Sequence, residues 1–414
     1  MLIAHANGRK IPKEDKIFSL NGRAKAMIRK EGNDSVANAA IGALLDDDGN
    51  LMVLSSVAET IGKLSVTDYA EYAPIGGIPE FRDAVRKAVF KNYVPDAFTE
   101  VCATVGGTGA IRNTISNYSE AGDSVLTTDW FWGPYNIISQ ETGRKLVTYE
   151  MFDRNRNYNF EALEKKAKEL AEAQGSLILI LNTPAHNPTG YSLSDSDWDR
   201  LTEILDDIAA GDKKITLFID AAYIDFAGDE EEARSFLPKL EKFSDNVLPV
   251  IGYSASKTLT MYGMRCGAMI CIAKTPEIAS EFRMVSEFSS RGSWSNGVHA
   301  AQALFADIFA DSSLMKKVEQ ERDGLRNMLA KRGRIFTDAL KSHGIEPVPF
   351  DAGFFSCVEC TDSDRISRQL EKKGVFAVPL AKGLRVSVAS ISEKKCRRSA
   401  EVLAEVLKEN ADPA

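Results

Sequence analysis

Six short runs rich in aliphatic and β-branched residues recur between residues 101 and 253, each separated from the next by a longer amphipathic stretch. They are Val101 to Val105, Ser124 to Thr128, Lys145 to Tyr149, Leu177 to Leu181, Ile215 to Asp220 and Val247 to Tyr253. Few architectures accept that alternation. A strand that leaves its sheet and returns parallel needs a crossover of about a dozen residues or more, and a helix is the element that fills it. The pattern predicts an α/β fold, a three-layer sandwich whose mostly parallel sheet is covered by helices on both faces. Arg265 to Ala273 supplies one more strand, after a turn short enough for it to be antiparallel.

The flanking regions read differently. Residues 1 to about 50 are polar, punctuated by Gly22, Gly32, Gly42 and Gly49, and read as an arm with short elements. Pro276 to Lys341 is helical in composition and free of internal proline, with a break expected near Ser289 to Gly297; a long helix there would bridge two domains. The tail, with strands expected over Gly353 to Glu359, Val375 to Pro379 and Leu384 to Ala389 and helices near Asp364 and Glu393, is a small α+β unit able to pack with the arm. The expected division is a large domain over 51–311 and a smaller α+β domain from 1–50 and 312–414.

Charge and cysteine content exclude several function classes. The formal net charge of -8 would repel a phosphate backbone, so no nucleic-acid partner is expected, and any anion site must be a local arrangement of a few Arg or Lys. No apolar run reaches the roughly 18 residues needed to cross a bilayer, so no membrane association is expected. The first fifteen residues, with Asn7, Arg9, Lys10, Lys13, Glu14 and Asp15, lack the apolar centre of a secretory signal, and six sparse cysteines fit a reducing compartment. The expected location is cytoplasmic.

Several strand ends carry side chains suited to chemistry. Asp220 closes the run Ile215 to Ile219, where the loops of an open α/β sheet gather around a ligand, although an aspartate there is equally a turn residue. Lys257 follows another strand in Tyr253-Ser254-Ala255-Ser256-Lys257-Thr258, with Arg265 eight positions on. Serine plus arginine is the composition of a phosphate site, and a lysine in a partly desolvated pocket can lose its proton and form a Schiff base. Gly106-Gly107-Thr108-Gly109 joins a strand to a helical segment, offering backbone N–H groups to a phosphate, but departs from G-x-G-x-x-G and so gives little support to a dinucleotide site. Asn187-Pro188-Thr189-Gly190 is a turn whose Asn187 could face the same cleft. Asp129 to Tyr135 is unusually aromatic, as a core cluster or a stacking platform.

Taken together, Asn187-Pro188-Thr189-Gly190, Asp220-Ala221-Ala222-Tyr223 and Ser254-x-Ser256-Lys257 with Arg265 resemble the class I aminotransferases, pyridoxal-phosphate enzymes of fold type I. The likeness covers nearly the whole chain and is greatest to the aspartate and aromatic branch. Ala40-Ile41-Gly42, the stretch from Tyr72 through Gly77-Ile78-Pro79, Arg291-Gly292-Ser293-Trp294-Ser295-Asn296 and Leu384-Arg385-Val386 add to it.

The resemblance implies pyridoxal 5'-phosphate as cofactor. Lys257 would hold it covalently and carry the substrate's Cα proton. Asp220 would pair with the ring nitrogen, Tyr223 and Asn187 would bond its phenolic oxygen, and Trp132 would stack on its face and line the substrate site. Gly107, Thr108, Ser254 and Arg265 would bind the phosphate, with Tyr72 from a neighbouring subunit in a homodimer. Arg385 would grip the substrate's α-carboxylate beside Gly42, and Arg291 would reach a side-chain carboxylate across the interface. The implied activity moves an amino group between an L-amino acid, aspartate or aromatic, and a 2-oxo acid such as 2-oxoglutarate. Gly133-Pro134-Tyr135 lacks the polar pair usual after this tryptophan in aspartate-selective members.

Competing motifs are weaker. Ser254 to Lys257 fits S-x-x-K, but Ser244-Asp245-Asn246 precedes it, the reverse of the penicillin-binding order, and K-T-G is absent. Cys357 and Cys360 have C-x-x-C spacing with no second pair, and His5, His186, His299 and His343 are scattered, so no metal is expected. An effector-sensing regulator would need a DNA-binding domain for which there is no room. A lyase, decarboxylase or racemase on the same fold is the remaining alternative.

Overall fold

The computed structural model describes residues 3, 10 and 14–410. His5 and most of the polar N-terminal stretch, including Asn7, Arg9 and Lys13, lie outside the described residues. After the short β1 (Ala37–Asn38), seven strands build the central sheet: β2 (Phe98–Val105), β3 (Ser124–Thr128), β4 (Lys145–Tyr149), β5 (Ser176–Asn182), β6 (Lys214–Asp220), β7 (Val247–Tyr253) and β8 (Cys266–Ala273). Their order is β2-β8-β7-β6-β5-β3-β4. Neighbours from β4 to β7 pair in parallel, whereas β8 is antiparallel to both β2 and β7.

The helices up to the end of this region are α1 (Lys16–Glu31), α2 (Ser55–Ile61), α3 (Val66–Ala70), α4 (Pro79–Phe90), α5 (Gly106–Asn117), α6 (Pro134–Glu141), α7 (Phe160–Gln174), α8 (Asp195–Ala209), α9 (Leu237–Leu240) and α10 (Ala255–Thr258). Burial along β5 shows how they cover the sheet. Leu177, Leu179 and Leu181 pack into the core that holds Leu163 of α7 and Trp198, Leu201 and Leu205 of α8. Ile178 and Ile180 face the opposite core, with Ile111 and Ile115 of α5 and Ile138 of α6. Successive strand side chains point to opposite faces, so a strand buried on both sides reads as a continuous apolar run.

Beyond the sheet come α11 (Pro276–Ser293), α12 (His299–Ala310), α13 (Ser312–Ser342), β9 (Phe355–Glu359), α14 (Ser363–Lys372), β10 (Val375–Phe376), β11 (Val378–Pro379), β12 (Gly383–Ser387) and α15 (Glu393–Glu409). The expected break falls between α11 and α12. A second one, at Asp311, comes from its carboxylate capping α13 through the N–H groups of Ser313 and Leu314. Val318, Leu325 and Leu329 of α13 join the large core, while Phe336 and Leu340 join the core of the tail, so one rigid helix reaches both. The single run expected over Val375 to Pro379 divides at Ala377: β10 pairs with β1, and β11 joins β12 and β9.

The arm departs from its reading as short elements, because α1 is a helix of 16 residues. Asp15 caps it, accepting from the N–H groups of Ile17 and Phe18, and Gly32 ends it at a φ of 87°. Leu20 and Ala24 are buried with Val36, Phe376 and Val378, and Ile17, Met27 and Ile28 pack against them. Gly22 and five interspersed Lys and Arg residues hide this 3–4 spacing.

Candidate active site

The carboxyl ends of β5, β6 and β7 bring Asn182, Asp220 and Ser254 side by side, with Asn182 in register with Asp220 and Asp220 with Gly252. Lys257, in the helical turn after β7, points into this cleft and donates from Nζ to the carbonyl of Gly42 at 3.0 Å. Its Nζ lies 4.6 Å from the Tyr262 ring centroid and 5.4 Å from that of Tyr223. Among the described residues no carboxylate is within ion-pair distance. Burial, with Arg265 and Arg385 adding to it, lowers the amine's pKa to about 8 despite the opposing pull of Asp220.

Asp220 is buried and accepts from Tyr135 Oη at 2.5 Å and from the N–H of Ala222 at 3.3 Å. Burial raises its pKa, against the lowering effects of those hydrogen bonds, Asn182 and Lys257. Tyr223 is buried beside it; burial raises its pKa, against the lowering effect of Arg385 and of the nearby Asn187 side chain. Asn187 is the hub of the far wall, since its Oδ1 accepts from Arg385 Nη1 at 3.2 Å and its backbone N–H donates to Asn182 Oδ1 at 2.7 Å.

Arg385, on β12, is buried with no carboxylate partner among the described residues. Nη2 donates to the carbonyl of Ala40 at 2.8 Å, Nε has no partner, and the guanidinium lies 4.3 Å over the Phe355 ring. A buried charge is ordinarily paired, and this fork has the geometry to hold a carboxylate. Gly42 closes the wall, where a Cβ would come 2.7 Å from Phe355 Cζ.

An anion cradle adjoins the cleft. The N–H groups of Gly107 and Thr108 open α5. Arg265, in the left-handed region at a φ of 50°, lies across Gly106, whose added Cβ would come 2.3 Å from Nη2. The guanidinium makes one hydrogen bond, to the carbonyl of Tyr262 at 3.2 Å. The two serines before Lys257 differ. Ser256 Oγ is consumed by Cys266, donating to its carbonyl and accepting from its N–H, while Ser254 Oγ has no partner among the described residues.

Two expected site residues stay apart from this cluster within one chain. Tyr72 is exposed, and Arg291, near the end of α11, donates to Ser295 Oγ at 2.6 Å. Trp132 is half-buried and packs edge-on against Tyr135 with centroids 5.6 Å apart.

The family profile described as "Aminotransferase class I and II" matches residues 34–403. The chain belongs to this aminotransferase family. A solved aminotransferase from Anaerococcus prevotii is 36% identical, with 98% of this chain and 100% of that one covered and a TM-score of 0.95. An aspartate aminotransferase of Salmonella typhi is 26% identical over 92% of this chain and 96% of its own length. A Burkholderia pseudomallei aromatic-amino-acid aminotransferase, solved covalently bound to pyridoxal phosphate, shares the fold at a TM-score of 0.81 and 22% identity, with 98% of this chain and 100% of that one covered.

Four residues of this aminotransferase's cleft are missing from the sequence expectations: Tyr135, Asn182, Tyr262 and Phe355. Tyr262 Oη accepts from the N–H of Leu44 at 3.2 Å, tying the arm to the cleft, and its place three residues before Arg265 was the one available signal. His186 is a buried structural histidine. Its Nδ1 contacts Thr189 Oγ1 at 2.8 Å, and burial lowers its pKa to about 3 against the opposing carbonyl of Trp130. Of the C-x-x-C residues, Cys357 is buried on β9 and Cys360 lies just beyond the strand's end at Glu359, both as free thiols.

Beneath the site, Asp225 joins its loops. It accepts from Arg234 Nη2 at 2.6 Å, Thr258 Oγ1 at 2.6 Å and Tyr253 Oη at 3.1 Å, with Arg322 Nη1 of α13 at 3.6 Å. Burial alone would raise its pKa, but Arg322 and Arg234 override that and hold it well below the usual carboxylate range. Asp225→Asn is expected to cost about 3–5 kcal/mol in urea unfolding, because two buried guanidinium groups lose their counter-charge. The depressed pKa contributes stability above the unfolded value of about 4 and loses it as pH falls, so this difference should narrow in acid. An unchanged unfolding midpoint at pH 7 would refute the account.

Proposed function

We propose that the protein transfers the amino group of an L-amino acid, aspartate or aromatic, to a 2-oxo acid such as 2-oxoglutarate, with pyridoxal 5'-phosphate as cofactor. The observation that carries this reading is the buried, carboxylate-free fork of Arg385 facing a cleft that also buries the amine of Lys257 and the carboxylate of Asp220. The residues fit the cofactor. The cradle of Gly107, Thr108, Ser254 and Arg265 suits its phosphate, Asp220 its ring nitrogen, Tyr223 and Asn187 its phenolic oxygen, and Trp132 its ring face. When bound, the cofactor supplies an electron-accepting ring that stabilises the charge left as the Cα proton departs.

The chain's own groups do the rest. Arg385 grips the α-carboxylate and fixes it, so that the Cα proton is the substituent presented for removal, which favours transamination over decarboxylation. Lys257 Nζ, with its pKa close to neutrality, takes that proton and returns it. Asp220 would hold a proton on the ring nitrogen of the bound cofactor. Phe354 and Phe355 exclude water from the wall beside Arg385 and Tyr223.

The active unit in this reading is a homodimer. The exposed apolar side chains of Val66, Tyr69, Tyr72, Phe288 and Val298 support it. The loop carrying Tyr72 is tied to the segment after Arg291, Asn296 Nδ2 donating to the carbonyl of Ala73 at 2.7 Å, so both residues would enter a partner's cleft together. The same reading gives a large domain over 51–311 and a small one from both chain ends. Among the described residues no helix is long and apolar enough to cross a membrane. A cytoplasmic location and a role in amino-acid biosynthesis are part of the proposal.

The test is 2-oxo acid formation from single amino acids with 2-oxoglutarate as acceptor. Aspartate, tyrosine or phenylalanine should each give product, and no product from any of them overturns the reading. Arg385→Ala should raise KM for every donor. Arg291→Ala should lower kcat/KM for aspartate by about 10- to 100-fold, the worth of a charged hydrogen bond, and leave phenylalanine unchanged. Equal losses for both donors would remove Arg291 from the substrate site.

A further inference from the structure

We infer that Tyr135 and Asn182 form a neutral relay that holds Asp220 ionised and aimed into the cleft. Its direction follows from a backbone group. The N–H of Asn187 can only donate, and it donates to Asn182 Oδ1 at 2.7 Å. That fixes the amide, so that its Nδ2, also only a donor, faces Tyr135 Oη at 3.2 Å. A phenol has a single proton. With its oxygen accepting from Asn182, the proton is directed to Asp220 Oδ2 at 2.5 Å. The other carboxylate oxygen meets the N–H of Ala222 at 3.3 Å. Both oxygens of Asp220 thus face donors, an arrangement only the carboxylate form satisfies fully.

The relay answers a particular difficulty. Asp220 lies at the buried end of β6, where desolvation favours the neutral acid. The titratable groups facing it are Lys257, Tyr223 and Tyr135. Lys257 opposes the protonation only while its amine is charged, and the reaction requires that amine to lose its proton. Tyr135 is fully buried, and burial and the neighbouring Asp220 push its own pKa well above 10, so it remains a donor throughout the working range. Asn182 does not titrate. The support for Asp220 is therefore independent of the charge on Lys257. Tyr135 is placed for this by Pro134, which starts α6, and its ring is buried among Ile138 and Phe218, so the hydroxyl can be removed without opening a cavity. These are positioning residues, acting on the cofactor through Asp220; the inference rests on the reading of Asp220 as partner of the ring nitrogen.

The deciding measurement is made on cofactor-free protein. The side-chain carboxyl of Asp220, labelled with carbon-13 and assigned by its loss in Asp220→Asn, is titrated by NMR. Tyr135→Phe should raise its midpoint by about one to two pH units, the equivalent of one hydrogen bond to a charged group. Asn182→Asp should raise it as well, because a second carboxylate would compete for the phenolic proton. A midpoint that does not move in Tyr135→Phe, with the thermal transition unchanged, overturns the relay. In binding measurements on the cofactor-free protein the same substitution should lower affinity for pyridoxal 5'-phosphate by about 10-fold or more while affinity for inorganic phosphate, which reads only the cradle, stays within about twofold. Equal losses for both would also overturn it. Failure of the parent protein to take up pyridoxal 5'-phosphate would instead defeat the proposed function, and the titration would still decide the relay.

Discussion

Lys257→Ala is expected to lower transamination by about five to six orders of magnitude, the scale seen when a nucleophile acting as part of a catalytic unit is removed. No neighbour can substitute for it. Within the cleft the other cations are Arg265 and Arg385, whose guanidinium groups do not give up a proton at working pH. The variant should nevertheless fold. Its amine lies 4.6 Å from the Tyr262 ring centroid, 5.4 Å from that of Tyr223 and 5.9 Å from that of Phe354, but as a buried cation it has a single hydrogen-bond partner, the carbonyl of Gly42. With a folded pKa of about 8 against the ordinary 10.5, the unfolded chain holds this proton more tightly than the folded one. Folding therefore carries the full penalty below about pH 8, and the penalty fades as pH rises toward 10.5. The cofactor-free variant should melt no lower than the parent at pH 7, and the difference between them should shift in the parent's favour above pH 8. Residual turnover above about one part in a thousand would sink the assignment of this residue.

The sheet and the core of the site were legible in the sequence for a common reason. Strands buried on both faces must be continuous apolar runs, so the bounds of β3, β4 and β7 coincide with the expected ones, and β2, β5 and β6 extend them only by residues at their ends. Asp220 closes such a run, and Ser254, Lys257 and Asn187 lie in the loops that follow two others, where the sheet gathers them without further information. The shortness of the turn before β8 allowed an antiparallel strand without requiring it, and the structure has it antiparallel to both neighbours. What sequence reading missed is of another kind. Helix α1 was obscured because its buried face is narrow and its outer face carries Lys and Arg. Tyr135 was visible only as one aromatic in a cluster of four, and nothing local distinguishes the one whose hydroxyl reaches β6, 85 residues away, from Trp130, which is core. Asn182 is a strand-terminal amide like many others until Asn187 folds back upon it. Phe355 acquires its role only through pairing in register with Ser387, which sets its ring beneath Arg385. Residues that carry charge at strand ends announce themselves, while those that orient the charge are chosen by contacts between distant segments.

Asp220→Asn separates these two roles at one atom. The amide keeps the size of the carboxylate and can still accept from Tyr135 Oη, so the cleft should retain its shape and KM for amino acids, which the proposed function assigns to Arg385, should change little. What it cannot do is carry the charge that, in the proposed function, would keep a proton on the cofactor's ring nitrogen, and the loss should appear in kcat, by about 10³-fold or more. Stability should move the other way. Burial raises the folded pKa of Asp220 above its unfolded value, so the folded state binds the proton more tightly. The group's stabilising effect is present in acid and is lost as pH rises through the folded pKa, which leaves a buried charge opposing the fold at neutral pH. The variant should therefore be at least as resistant to urea as the parent at pH 7 and lose that advantage below about pH 4. Asp220 and Lys257 are then two of a kind, ionisable groups that the fold holds against their own desolvation, and loss of either charge should exchange activity for stability. A variant with parental kcat, or one that unfolds earlier at neutral pH, would show that the carboxylate serves the fold and not the reaction.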